Sequence, residues 1–444
     1  MNIRRALYVL LCLGAAVLVG CNTGNGVGAL PINTTVRVVN LVPNAPPVTF
    51  SIDGTVLVSG LAFEQQTLYL DTTEGQHQFT VTDGGNSTLV DTTVILTNGQ
   101  PATFVVFGPQ DAAAAQLIVD GPIAIAQDGT VVTIPDDGTF ALRLTSVAEG
   151  VGSIDLYLTT LGADLALTAP NITNVTFGVT TVFVTANSGS YQVRLAQHGT
   201  KNVIFDSGVA VPFGNQAIME AVAYSKGSSA LAGLDILNID TQGDAQIYQS
   251  TLARFKLVNA TSAGPPLNVL VDGALTLANI PYAGVSNYVD TLAQTQTLSI
   301  ESTATPGASL LTFTADFSPS TDSSIVISGP PGALQSLVLT DNNMPSPTGR
   351  ARVRFVNASP NLASLDVYVN FVPTFAGILS NSASGYTELT ANVTGSTFNI
   401  AFNITGTTTP VLVLPNVTFV AGTTYTVYVV GSASAPQGVV VSDN

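Results

Sequence analysis

Apolar and polar residues alternate along this chain in short runs separated by turn formers. Val48, Phe50 and Ile52 share one face of "VTFSID" (48–53), and "IDLYLT" (154–159), "LNVLVD" (267–272) and "LDVYVN" (365–370) alternate in the same way. A period of two with β-branched residues predicts half-buried strands. The runs "ATFVVFG" (102–108), "SSIVISG" (323–329) and "TYTVYVVG" (424–431) predict apolar strands ending on glycine, and "AIMEAVAYS" (217–225) stands in the corresponding place. Pro43-Asn44-Ala45-Pro46-Pro47 and Ser359-Pro360-Asn361 mark turns between strands. Helical periodicity is nearly absent, and only "DAAAAQL" (111–117) suits a turn or two of helix.

The pattern repeats four times. With Arg37, Arg143, Lys256 and Arg354 aligned, a window of seventeen residues matches without a gap. Each copy closes on a short strand that runs into Asp120, Asp240, Asp341 or Asp443. About seven strands per copy predict an all-β chain of four tandem Ig-like antiparallel β-sandwich domains. Their expected bounds are 35–120, 139–240, 251–342 and 349–444. The joins 121–138, 241–250 and 342–348 read as linkers; the first contains "GTVVTIP", which fits an added strand, and the last, "NNMPSPT", is the most loop-like. Residues 349–444 hold a complete copy and are expected to fold alone. An outer-membrane barrel would also alternate, but it needs aromatic girdles, and this chain has no Trp and only 7% aromatic residues.

The first residues add an address. Arg4 and Arg5 precede an apolar stretch, Ala6 to Val19, too short for a normal span. It ends in Leu18-Val19-Gly20-Cys21, which resembles the lipobox of bacterial lipoproteins. That resemblance implies a signal peptide over 1–20, lipidation at Cys21 and a membrane anchor. Residues 21–34 would be the lipidated tether; the thirteen after the cysteine have a reach of roughly 43 Å. Asn22 follows the cysteine, which in that family points to the outer membrane. Cys12 would leave with the signal, so no cysteine remains for a disulfide, a metal or a nucleophile.

Charged residues are 9% of the chain, against roughly 25% in an average domain. After Cys21 only ten Lys and Arg face 28 acids, a balance that argues against nucleic acid and against broad contact with anionic lipid.

"ARVRFVNASPNLASLDVYVN" (351–370) resembles the opening of a bacterial extracellular family known as domain of unknown function 4397. The third copy keeps Asn259-Ala260 and Asp272-Gly273, and the first keeps Pro43-Asn44-Ala45-Pro46 and Asp53-Gly54. The second is the most divergent. The resemblance implies an extracellular habit and no activity.

Candidate chemistry is sparse. The repeated basic position is expected on a sheet edge, protecting it from stray pairing. Its expected partners are the closing acids of the same copies: Arg37 with Asp120, Arg143 with Asp240, Lys256 with Asp341 and Arg354 with Asp443. Exposed pairs of this kind contribute about 0–1 kcal/mol. His77 and His198 lie in different copies, and no metal site, catalytic triad, nucleophile elbow or phosphate loop is legible. Asp128, Asp136 and Asp137 form a weak calcium candidate at the first join. No cofactor is expected. The expected function is a structural or adhesive cell-envelope protein. A carbohydrate- or peptide-binding array, with Tyr157 and Tyr368 as candidate aromatics, and a carboxylate-dependent hydrolase are the alternatives.

Overall fold

The computed structural model describes residues 33–97, 100–120, 135–239, 245–261 and 264–444. The signal peptide, Cys21, nearly all of the tether, Asp128, Asp240 and most of "GTVVTIP" lie outside the described residues.

Each copy is a sandwich of two sheets. In the fourth, the opening strand Arg350–Asn357 lies between the short strands Ser382–Ala383 and Thr387–Thr390 on one side and Thr424–Ser432 on the other; Ala435–Ser442 completes the sheet. The facing sheet runs in the order Val372–Leu379, Ser364–Val369, Ser396–Ile404, Pro410–Phe419. Val353, Phe355, Val367, Ile400, Phe402, Val427 and Val429 fill the space between them. Burying each such side chain contributes about 1.5–3 kcal/mol. The alternation read from "LDVYVN" is the period with which Leu365, Val367 and Val369 enter this core.

Three features differ from the sequence expectation. The opening strand pairs in parallel with the strand before the closing one, in register Arg37↔Thr103, Arg143↔Glu220, Lys256↔Ser324 and Arg354↔Thr426. Arg37 and Thr103 are 66 residues apart, so no hairpin ties the two strands, and a period of two does not encode strand direction. Because it has neighbours on both sides, the opening strand is interior, and the edge-protection reading of its basic residue is wrong. Lastly, of "DAAAAQL" only Asp111 and Ala112 are helical, in the 3-10 turn Gln110–Ala112; Ala114–Val119 is the first copy's closing strand, paired with Ala102–Phe107. Pairing against an apolar strand outweighs the helix preference of a few alanines.

The copies also pack on one another. The opening sheets bury their second faces as well: Val258, Ala260 and Val326 of the third copy meet Val356, Ala358, Tyr428 and Val430 of the fourth. Val39, Leu41, Val105 and Phe107 of the first likewise meet Val147, Val222, Tyr224 and Leu237 of the second. The segment "NNMPSPT" is not a loose connector, since Asn343 and Met344 are buried. The Asn343 amide donates to the Gly227 carbonyl of the second copy at 2.9 Å, and its Nδ2 donates to Tyr288 Oη and Asp322 Oδ2 of the third, both at 2.8 Å.

This packing changes what is expected of residues 349–444 alone. The fragment has its own two-sheet core but would expose Val356, Tyr428 and Val430 and strip Arg354 and Asp443 of their charged partners. Calorimetry should show it melting below residues 251–444, or sedimentation should show it pairing with itself through that face. A monomeric fragment as stable as the two-copy protein would mean that the face contributes nothing.

Candidate functional site: the charged joints between copies

The repeated basic residues point into the second, inter-copy cores. Arg354 Nη2 meets Asp341 Oδ1 of the third copy at 2.6 Å, and its Nη1 donates to the Thr340 carbonyl at 3.2 Å. Lys256 Nζ meets Asp443 Oδ1 of the fourth copy. The expected pairs Lys256 with Asp341 and Arg354 with Asp443 are thus exchanged between copies. They are also buried, not exposed, with side-chain accessibilities of 4% or less. The face of the opening strand is the reason: the outer faces of the third and fourth opening sheets pack on each other, so a side chain on that face reaches across the joint.

Each acid is tied to its own copy by a hydroxyl from the parallel partner strand. Ser324 Oγ donates to Asp341 Oδ2 at 2.7 Å and Thr426 Oγ1 to Asp443 Oδ2 at 2.6 Å. Tyr288 Oη also donates to Asp341 Oδ2, at 2.6 Å. Each cation lies over an aromatic ring: Lys256 Nζ is 4.6 Å from the centroid of Tyr288, and Arg354 Cζ is 4.9 Å from that of Tyr386.

The first two copies build a related joint. Arg37 donates to Thr103 Oγ1 from Nε and Nη2 at 3.1 and 2.9 Å, lies 3.7 Å from Asp120 of its own copy, and reaches the Asn238 carbonyl of the second copy at 3.1 Å. Thr103 and Tyr69 both donate to Asp120 Oδ2. Arg143 crosses the joint to the Val119 carbonyl at 2.9 Å and Asp120 at 3.5 Å, but its tightest partner is Glu220 Oε2 at 2.7 Å. Its expected partner Asp240 lies outside the described residues. Sequence reasoning missed Glu220, the hydroxyls and the rings. The rings had a signal: Tyr69, Tyr288 and Tyr386 each stand 32 residues after the aligned basic residue, and Phe183, under Arg143, stands 40 after.

Burial dominates the electrostatics. It raises the carboxyls of Asp120 and Asp443 above their ordinary range, against the pull of Arg37 and Lys256 respectively. At Asp341 burial pushes the same way, but Arg354 and Lys256 together hold it below the usual value. Asp235, wholly buried in the first joint, is pushed up to about 7 by burial, opposed by Arg37.

Other candidates stand apart from these joints. His77 Nδ1 lies 2.7 Å from Asp53 Oδ2 and His198 Nδ1 2.8 Å from Asp155 Oδ1, two acid–imidazole pairs that the sequence did not reveal. Neither is poised to activate a hydroxyl: His77 Nε2 is engaged by the Thr73 carbonyl at 2.8 Å, and Thr173 Oγ1 donates to Asp155 itself at 2.9 Å. Asp137 Oδ1 accepts from Asn215 at 2.8 Å, and among the described residues no three metal-ligating groups converge. Tyr157 is buried, with Lys201 Nζ 4.7 Å from its ring centroid, whereas Tyr368 is half-buried on an outer face. A polar cleft of about 720 Å³ opens between the first copy and the third and fourth, lined in part by Asp83, Gln110, Asp111, Asp341, Arg352 and Tyr386. Arg352 spans it to Asp111 at 3.3 Å and holds Glu388 at 2.8 Å.

Two measurements test the joints. Lys256→Met leaves Asp443 buried without its cation and should cost about 3–5 kcal/mol in urea unfolding. Adding Asp443→Leu should recover most of that loss. Asp235 binds its proton more tightly in the folded protein than in the unfolded chain, so stability falls as pH rises between its unfolded value of 3.8 and its folded value of about 7. The slope is about 1.4 kcal/mol per pH unit at most. Asp235→Asn removes this contribution, so its stability advantage over the wild type should be larger at pH 8 than at pH 5.

A search of curated proteins returns no match. Among solved structures, a family 26 carbohydrate-binding module from Eubacterium rectale, crystallised with maltoheptaose, matches at 11% identity, covering 49% of this chain and 96% of its own, with a TM-score of 0.16. A multi-modular glycogen-degrading pneumococcal virulence factor matches at 9% identity, covering 64% of this chain and 37% of its own, also with a TM-score of 0.16. At that score neither likeness bears on fold or ligand. The family described as Domain of unknown function (DUF4397) matches residues 34–157, 253–368 and 353–444, with the rest of the divergent second copy unmatched. Repeated matches over most of its length, on the copies that carry the basic–aspartate joints, mean that the chain belongs to the DUF4397 family.

Proposed function

We propose that this protein is a lipid-anchored, non-catalytic component of a bacterial cell envelope, with a structural or adhesive role. One observation carries the non-catalytic part: the repeated ionisable groups are spent on holding copies together. Arg37, Lys256, Arg354, Asp120, Asp341 and Asp443 are all buried in joints, and Asp341, which borders the cleft of about 720 Å³, has its carboxylate oxygens taken by Arg354, Ser324 and Tyr288. An enzyme built on carboxylates would present them in an accessible cleft with room for a sugar or peptide. Here the cation, hydroxyl, acid and ring contact one another across the joint, an arrangement suited to fixing the relation of one sandwich to the next.

The anchoring part rests on the sequence of residues 1–22: a basic start, a short apolar core, Leu18-Val19-Gly20-Cys21, and Asn22 after it. On this reading the diacylglycerol thioether forms at Cys21 Sγ, and the folded copies stand off an outer membrane. Cys21→Ser should abolish labelling by a radioactive or alkyne-tagged fatty acid, leave a larger, signal-bearing form and alter membrane fractionation. Normal labelling and processing of that variant would refute the anchor while leaving the fold untouched.

A further inference from the structure

The outer face of the fourth copy's second sheet carries a hollow of about 510 Å³, lined among others by Tyr368, Phe371, Asn399, Asn403, Thr408 and Val413. Phe371 is 87% exposed and has φ +68°. It is the second residue of the two-residue turn between Ser364–Val369 and Val372–Leu379, where the first and third copies have Gly54 and Gly273 at φ +76° and +84°. A residue with a Cβ in the left-handed region costs about 1–2 kcal/mol relative to glycine. An exposed ring recovers little of that by burial, so its place on this turn points to contact with something outside the chain.

The rest of the hollow indicates what that is. Asn403 is 5% exposed; its Nδ2 donates to the Thr407 carbonyl at 3.2 Å while Oδ1 has no hydrogen-bond partner. A buried acceptor without a donor is costly unless a ligand supplies one. Asn399 Oδ1 accepts from the Asn416 amide at 3.2 Å, which fixes that carboxamide. No charged side chain lines the hollow. Its floor is the row Tyr368↔Ala401↔Val413, with Ser364–Val369 and Ser396–Ile404 both interior strands of the sheet. The hollow lies over the face of these strands and not along the outer backbone of the edge strand Pro410–Phe419, so an extended peptide seated in it would not add a strand to the sheet. A ligand here must be read by side chains alone, and two rings with carboxamides and a threonine hydroxyl suit a neutral molecule with flat C–H faces and hydroxyl edges.

We propose that this hollow is a binding site for a neutral saccharide, with pyranose rings against Tyr368 and Phe371 and sugar hydroxyls bonded to Asn399, Asn403 and Thr408. It is a single site and not an array: the residues aligned with Tyr368 are Ser51, the buried Tyr157 and Leu270. The site deepens the adhesive reading above and rests on it, whereas the lipid anchor is tested separately by Cys21→Ser.

The test is calorimetric titration of the full chain with neutral hexasaccharides of glucose, N-acetylglucosamine and xylose, alongside Phe371→Gly and Tyr368→Ala. At least one hexasaccharide should bind, and Phe371→Gly should bind it about tenfold more weakly while melting at the same or a higher temperature. A merely structural Phe371 would not separate binding from stability in that direction. Failure of all three sugars, equal binding by Phe371→Gly, or competition for the site by an apolar peptide and not by sugar would each overturn the proposal.

Discussion

A charge placed where water is excluded must find its counter-charge, and for the repeated cations of the third and fourth copies the counter-charge belongs to the neighbouring copy. Lys256 is satisfied by Asp443 and Arg354 by Asp341, so neither sandwich of the pair is electrostatically complete without the other. The apolar residues around them, Val258, Val356 and Tyr428 among them, supply the favourable burial. The ions supply register, because a slip of one residue would turn the basic side chain into the copy's own core. Net stabilisation by a buried pair is small against a hydrophobic replacement, which makes specificity of the joint the better reason for the motif.

Much of the fold was legible in the sequence because its signal is local. Val48, Phe50 and Ile52 alternate, Gly54 follows at a turn, and the run recurs at matching distance from Arg37, Arg143, Lys256 and Arg354. What was not legible is direction and partnership. A strand such as Arg350–Asn357 has the same pattern whether its neighbour runs parallel or antiparallel, and burial on its second face looks in sequence like a polar, solvent-facing side. The alternation puts Arg352, Arg354 and Thr426 on the faces opposite Val353, Phe355 and Val427, yet all three are buried. The candidate sites suffered likewise. His77 with Asp53 and His198 with Asp155 join residues distant in sequence, and the ring beneath each cation, 32 residues on in three copies and 40 in the second, lies beyond the seventeen-residue window in which the copies align.

The second copy shows how far the motif bends. Glu220 replaces the small hydroxyl residue of the other copies, and Arg143 turns to it, with Thr145 donating to the other carboxyl oxygen. Phe183 replaces tyrosine and keeps the ring while losing the phenolic donor. The joint survives because its demands are chemical: a buried cation over a ring and a buried acid beside it. Divergence of this kind weakens a sequence match without disturbing the architecture.

The two crossed pairs of the third and fourth copies also differ in how much chain they enclose. Arg354 and Asp341 are 13 residues apart, and Lys256 and Asp443 are 187. During synthesis the first contact can form once the fourth copy's opening strand emerges, drawing "NNMPSPT" into place between them. The lysine of the third copy must wait until the fourth has run through both of its sheets. One joint therefore closes in two stages, and in the interval the third copy holds an unpaired ammonium on an apolar face, a state in which a chaperone or a neighbouring chain would find a binding surface.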